Sequence, residues 1–269
     1  MFRRVCWLAV AALVSCRGAE TECAPYAPCY AGTSIASIAS GTPGALAPNT
    51  LVSIYGTNLS FVEKAVSIED IQAGELPRVL PGTGVYVFVG GVPGQIYYVS
   101  PGQVNLLVPS NLRAAEVTIQ LVREGTAGPA LRLKLREAAP ALFRLNREYA
   151  LVSTLDYSLV TPGAPAHPDE WVVLWATGLG PVSPPADYGR LPSRAASLQK
   201  MDDFQVYLDG VAVNPERIAY AGVAVGYAGL YQVNLKLPVN VGDDPEVRIV
   251  AGEEISPPAL RLAVRRTAP

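Results

Sequence analysis

One histidine, His167, occurs in 269 residues. Nucleophilic triads need a base beside the serine or cysteine. His167 sits in APAHPDE, ahead of a proline, and reads as an exposed linker residue. Charge is also scarce. Charged residues make up 16% of the chain and the formal net charge is −2, with no basic stripe, so nucleic acid is not expected as a partner. The acidic neighbours Asp169 with Glu170, Asp202 with Asp203, Asp243 with Asp244 and Glu253 with Glu254 do not form acid/base dyads on a strand, because successive side chains point to opposite faces. There is no Asp-x-Asp calcium loop, and two thiols with no histidine nearby make a poor metal site. No 3.6-residue apolar period is sustained, so long helices are not expected. What remains is a non-enzymatic protein with no cofactor and no metal.

Glycine and proline, by contrast, are plentiful at 24 each, which implies many turns. Half the chain is hydrophobic, enough to bury a core. The start, MFRRVCWLAVAALVSCRGAE, has Arg3 and Arg4 before an apolar run over 5–14 that is short for a bilayer span. It reads as an export signal over 1–16. LVSC at 13–16 resembles a bacterial lipobox, which makes Cys16 the expected lipidated residue and a lipid anchor the only expected membrane attachment; the alternative is ordinary cleavage and a secreted product. Cys23 and Cys29, in CAPYAPC, have a spacing that can close a disulfide loop in an exported compartment.

The chain contains itself twice. LVSIYGTNLS (51–60) matches WVVLWATGLG (171–180), and ELP (75–77) matches RLP (190–192). VYVFVGGV (85–92) matches FQVYLDGV (204–211), and QVNLLVP (103–109) matches QVNLKLP (232–238). EVTIQLV (116–122) and PALRLKLR (129–136) return as EVRIVAG (246–252) and PALRLAVR (258–265). The offset is 172 − 52 = 120 early and 232 − 103 = 129 later, so about ten residues were gained, expected around 220–231. The blocks alternate, as Leu131, Leu133 and Leu135 do with Arg132, Lys134 and Arg136. Period two over short runs means half-buried strands.

The fold expected is all-β, two tandem immunoglobulin-like sandwiches related by duplication. The first runs over 44–138 and the second over 161–269, with a flexible tether at 17–43 and a connecting segment at 139–160 that holds a short strand-like piece over 149–154 and is expected to fold back against one domain. LAPNTLVSIYGTNLS resembles the start of IPT/TIG domains. VSIYGTNL, YVSPGQVNLLVP, VVLWATGLGPVSPP and GLYQVNLKLP together resemble an uncharacterised C-terminal domain family of large exported acidobacterial proteins. That resemblance implies an Ig-like fold, export and an accessory module, and no activity.

Three groups of residues remain as sites. WVVLWATGLGPVSPP imitates a dinucleotide loop, but Pro181, Pro184 and Pro185 prevent the helix such a loop needs, so it reads as a sandwich-end loop. Tyr220, Tyr227 and Tyr231 cluster in the insertion, with Tyr97 and Tyr98 at the matching place in the first copy, and form a candidate surface for a glycan or an envelope protein; the alternative is packing between the two sandwiches or under a loop. Gln103, Asn105, Gln232 and Asn234 fall on the wet faces of their strands, opposite Val104, Leu106, Val108 and Val233, Leu235, Leu237; their amides are expected to tie a neighbouring loop's backbone. The function expected is an exported, lipid-anchored Ig-like module of the cell envelope for structure or protein interaction, with a glycan-binding surface protein as the alternative.

Overall fold

The structure, a computed structural model, describes residues 23–266. The export signal and Cys16 lie outside that range. The chain is all-β and folds as two tandem Ig-like sandwiches, with short 3-10 turns as the helical pieces among the described residues. No helix among them is long and apolar enough to cross a membrane.

The two sandwiches share one topology. In the first, strand Leu51–Tyr55 pairs with Gln103–Leu107, which pairs with Gln95–Val99. In the second, Trp171–Thr177 pairs with Tyr231–Lys236, which pairs with Ile218–Val223. The opposing sheets pair Val85–Val89 with Glu116–Arg123, and Phe204–Leu208 with Val247–Ala251. Even an irregularity is copied. The ladder slips between Ile96 and Tyr98 in one copy and between Ile218 and Tyr220 in the other. Each bulge lets the tyrosine after it face the same way as the outward asparagine it pairs with.

Alternation puts one face of every long strand into a core. Val52, Ile54, Val104 and Leu106 belong to the first core, and Val172, Leu174, Val233 and Leu235 to the second; all are 0–1% exposed.

Three expectations change. The insertion is divided. Val206 replaces Val87 (206 − 87 = 119), Ile218 replaces Ile96 (218 − 96 = 122) and Val233 replaces Val104 (233 − 104 = 129). Three residues were therefore gained in the turn containing Pro215–Arg217, and seven in the hairpin tip between Val223 and Tyr231. The sandwiches also begin earlier than their hydrophobic blocks. Strand Ile35–Ser37 pairs with Leu51–Tyr55, inside the stretch expected as tether. Ala141–Leu142 and Val152–Ser153, inside the expected connecting segment, pair with Trp171–Thr177. Val152–Ser153 lies within the strand-like piece expected over 149–154, whereas Ile35–Ser37 and Ala141–Leu142 are too short to show periodicity in sequence.

Cys23 and Cys29 form a disulfide. The loop docks on the first sandwich: the Cys29 and Thr57 backbones exchange two hydrogen bonds of 2.9 Å. Gly56 is required there, since a Cβ would come 2.1 Å from the Cys29 carbonyl oxygen. Buried Tyr30 accepts from the Leu121 N–H and donates to the Pro129 carbonyl, both at 2.7 Å. Arg123, 4% exposed, donates to the Tyr26 and Asn58 carbonyls and lies 3.8 Å from the Phe61 ring centroid. With cysteines six residues apart, a Cys29→Ser chain is expected to lose about 2 kcal/mol by the loop-entropy relation. A urea midpoint unchanged by the substitution would show that the docked loop holds itself.

Candidate functional site

The seam between the sandwiches accounts for most of the insertion. The outer face of the first sandwich's sheet presents Leu51, Tyr97 and Leu107, and Ala228 from the hairpin tip packs on them with Leu76 and Leu191. Tyr97 Oη donates to the Ala228 carbonyl at 2.9 Å. Thr177 Oγ1 donates to the Gly229 carbonyl at 2.7 Å and accepts from the Leu51 N–H at 3.1 Å. The duplicated ELP and RLP segments meet each other here. Leu76 N–H donates to the Gly189 carbonyl and Leu191 N–H to the Gly74 carbonyl, both at 2.8 Å.

The three tyrosines of the candidate surface therefore separate. Tyr231 is 0% exposed, because an inward strand position takes it into the core. Its hydroxyl donates to the Gly180 carbonyl at 2.8 Å and accepts from Asn49 Nδ2 at 3.1 Å, across the seam. Tyr220 lies over Gly222, its hydroxyl accepting from the Ala196 N–H at 3.2 Å and within 2.8 Å of the Val223 carbonyl. Tyr227 stays at the surface, 65% exposed. Burial raises the Tyr231 pKa to about 12, and burial also raises that of Tyr97. A phenol whose folded pKa exceeds its unfolded value of about 10 adds stability that is complete below pH 10 and lost as pH rises through the folded pKa. Urea midpoints are thus expected to hold from pH 7 to 9 and to fall between pH 10 and 12. Tyr231→Phe should soften that fall; an identical fall would place its origin elsewhere.

The four repeat amides do sit on outward faces, and among the described residues each pair bonds within itself. Gln103 Nε2 donates to Asn105 Oδ1 at 2.7 Å, which also accepts from Ser53 Oγ at 2.8 Å. Gln232 Nε2 donates to Asn234 Oδ1 at 3.4 Å. Neighbours two apart on a strand share a face, so each pair meets itself before any loop. One such bond uses only part of the capacity of two amides.

Around Gln232 and Asn234 the second sandwich builds a polar-aromatic face. Trp175 stands opposite Gln232 in the register, Val173 opposite Asn234 and Trp171 opposite Lys236. Trp171 and Trp175 share that face, four residues and about 13 Å apart. Trp175 Nε1 donates to Ser153 Oγ at 3.1 Å, which fixes the indole. Tyr157, 69% exposed with φ of 67°, brings its ring to 6.2 Å from Trp175 at an interplanar angle of 28°. Leu155 and Leu159 on the same hairpin are about half exposed. At the far end Asp169 binds Lys236 and Arg217, each at 3.1 Å, and these bonds hold its carboxyl below the usual range. The sequence reading missed these residues. The signal was present: Trp171, Val173 and Trp175 occupy the outward positions that Leu51, Ser53 and Tyr55 hold in the first copy.

A cleft of about 640 Å³ also opens along the seam, lined by Asn49, Arg113, Glu137, Tyr188, Gln199 and Tyr231 among others. Its lining includes neither histidine nor cysteine. Glu137 is held by Lys200 at 2.8 Å. His167, far along the chain, has Nδ1 at 2.9 Å from the Arg265 carbonyl oxygen and is exposed at the base of the second sandwich.

The sequence matches no protein-family model and no curated protein. Solved structures do resemble the chain. One is the Bacteroides ovatus mixed-linkage glucan utilization locus SGBP-B in complex with a mixed-linkage heptasaccharide, at 12% identity and a TM-score of 0.33, covering 90% of this chain and 47% of that one. Another is the surface glycan-binding protein PbSGBP-B from Prevotella bryantii, at 7% identity and 0.26, covering 85% and 41%. A third is the I9–I11 tandem of titin, at 11% and 0.25, covering 89% and 66%. This chain spans less than half the length of the two glycan-binding proteins. At such TM-scores the likenesses add nothing to the functional reading, which rests on the residues described above.

Proposed function

We propose that this protein is a non-catalytic, exported glycan-binding protein, whose ligand lies on the outer sheet face of the second sandwich. The observation that supports this most is the stacked Trp175 and Tyr157 beside the Gln232 and Asn234 amides. Aromatic faces offer flat apolar area to the C–H faces of a sugar ring, and amides can donate to and accept from its hydroxyls. Trp175 is half-buried and Tyr157 beside it is 69% exposed, so the pair presents a partly open aromatic edge next to the two amides, a surface that a ligand can use. The glycan surface lies on the sheet rather than on the tyrosine-rich insertion, which the seam occupies.

Native gels containing mixed-linkage glucan, xyloglucan or amylose test the reading. Retardation by at least one is expected; free migration through all three would overturn it. The anchor is part of the same proposal. A chain with Cys16→Ser should lose labelling by an acyl-chain probe, and labelling that persists would remove the lipid from the reading.

A further inference from the structure

The polar-aromatic face occurs twice. In the first sandwich Tyr55 pairs with Gln103 in the register, as Trp175 pairs with Gln232 in the second. Asn105 pairs with Tyr98, as Asn234 pairs with Tyr220. All four positions of each set face outward, since the residues between them, Ile54, Val104, Leu174 and Val233, are buried in the cores. The offset is 175 − 55 = 120 for the aromatic, 232 − 103 = 129 for the glutamine and 220 − 98 = 122 for the tyrosine, each the offset of its own strand. The same glutamine-to-asparagine bond is made in both copies.

We infer that the first sandwich carries a second glycan subsite built from Tyr55, Gln103, Asn105 and Tyr98, so that the protein binds a glycan chain at two places. This inference rests on the glycan reading above. The seam leaves the subsite open. Domain contact covers Leu51 and Leu107 at one end of the sheet, while Tyr55 at the other end of its strand is 44% exposed. The Tyr98 hydroxyl donates to Glu63 Oε1 at 2.9 Å, which holds the ring along the edge of the face. Duplication explains why these residues recur at matched register. Outward positions of a half-buried strand accept most polar side chains, so the feature that points to a ligand is that both copies keep an aromatic beside two amides with hydrogen-bonding capacity to spare. The two subsites differ in strength. The second has an indole, a stacked Tyr157 and a further Trp171, whereas the first has two tyrosine rings, Tyr55 and Tyr98, beside its amides and no indole. Separate subsites joined by one chain raise the apparent affinity for a long polymer above that for a short oligosaccharide, with no new contact.

The experiment compares the unsubstituted chain with Tyr55→Ala, Trp175→Ala and the double variant in gels of mixed-linkage glucan, xyloglucan and amylose, with Gln103→Leu as a second first-sandwich variant. Thermal melts confirm that each is folded. In the gel that retards the parent, each first-sandwich variant should lose about threefold to tenfold of the retardation constant, and the double variant all of it. Titration calorimetry with an oligosaccharide cut from that glucan should give two bound molecules per parent chain and one per Trp175→Ala chain. Retardation and stoichiometry unchanged in both Tyr55→Ala and Gln103→Leu, with loss in Trp175→Ala, would overturn the second subsite and leave the one-site reading standing. Retardation of the parent by none of the gels would overturn both.

Discussion

Replacing Trp175 with alanine is expected to weaken binding to a retarding glucan about thirtyfold. A central aromatic in an interface is worth about 2 kcal/mol, and each 1.4 kcal/mol is about tenfold in affinity. The fold should survive. Trp175 points away from the core, and its loss removes one hydrogen bond to Ser153 and the stack with Tyr157. A cost of about 1 kcal/mol is the scale of those contacts. Trp175→Phe keeps a ring and should retain most of the affinity. By contrast, Lys236→Gln breaks an exposed pair with Asp169 on the rim and should change little. Calorimetry or retardation constants would read all three. Equal losses in Trp175→Ala and Lys236→Gln would point to charge rather than stacking.

The second large effect is expected at Gly229. Its φ is +77°, and a Cβ there would stand 2.6 Å from Leu107 Cδ1 and 2.8 Å from Leu51 Cγ. A β-branched residue is strained in that backbone region, and overpacking adds about 1–3 kcal/mol more. Gly229→Val should therefore push the hairpin tip off the first sandwich. The Ala228 and Gly229 carbonyls would lose their bonds from Tyr97 and Thr177, and the small apolar cluster of Leu76, Leu107 and Ala228 would open. Each sandwich keeps its own core, so the chain should melt in two steps where the parent melts in one. Scanning calorimetry checks this. A single transition at the parental temperature in Gly229→Val would show that the tip is not what couples the domains.

Much of the fold was legible because alternation and duplication are both local. The run Val233, Leu235, Leu237 has period two, and its counterpart in 103–109 has the same, which identifies half-buried strands without any contact being known. Short edge strands were legible only in part. The piece over 149–154 reads as strand-like, but the place of Val152–Ser153 beside Trp171–Thr177 comes from backbone pairing alone, and Ala141–Leu142 gave no signal.

The site was legible in its parts. Gln232 and Asn234 could be placed on the wet face from sequence, and so could Trp175 by the same rule. Their meeting could not, because cross-strand register depends on a ladder between segments more than fifty residues apart. The tyrosines make the converse case. Tyr220, Tyr227 and Tyr231 are close in sequence, yet one turns in to the core, one folds over Gly222 and one remains in water. The sequence alone determined that this protein is two copies of one β-sandwich, since periodicity and repetition need no partner. Only the tertiary structure decided which residues share a face and which hairpin closes the seam, because sheet register and domain contact join residues that no local pattern relates.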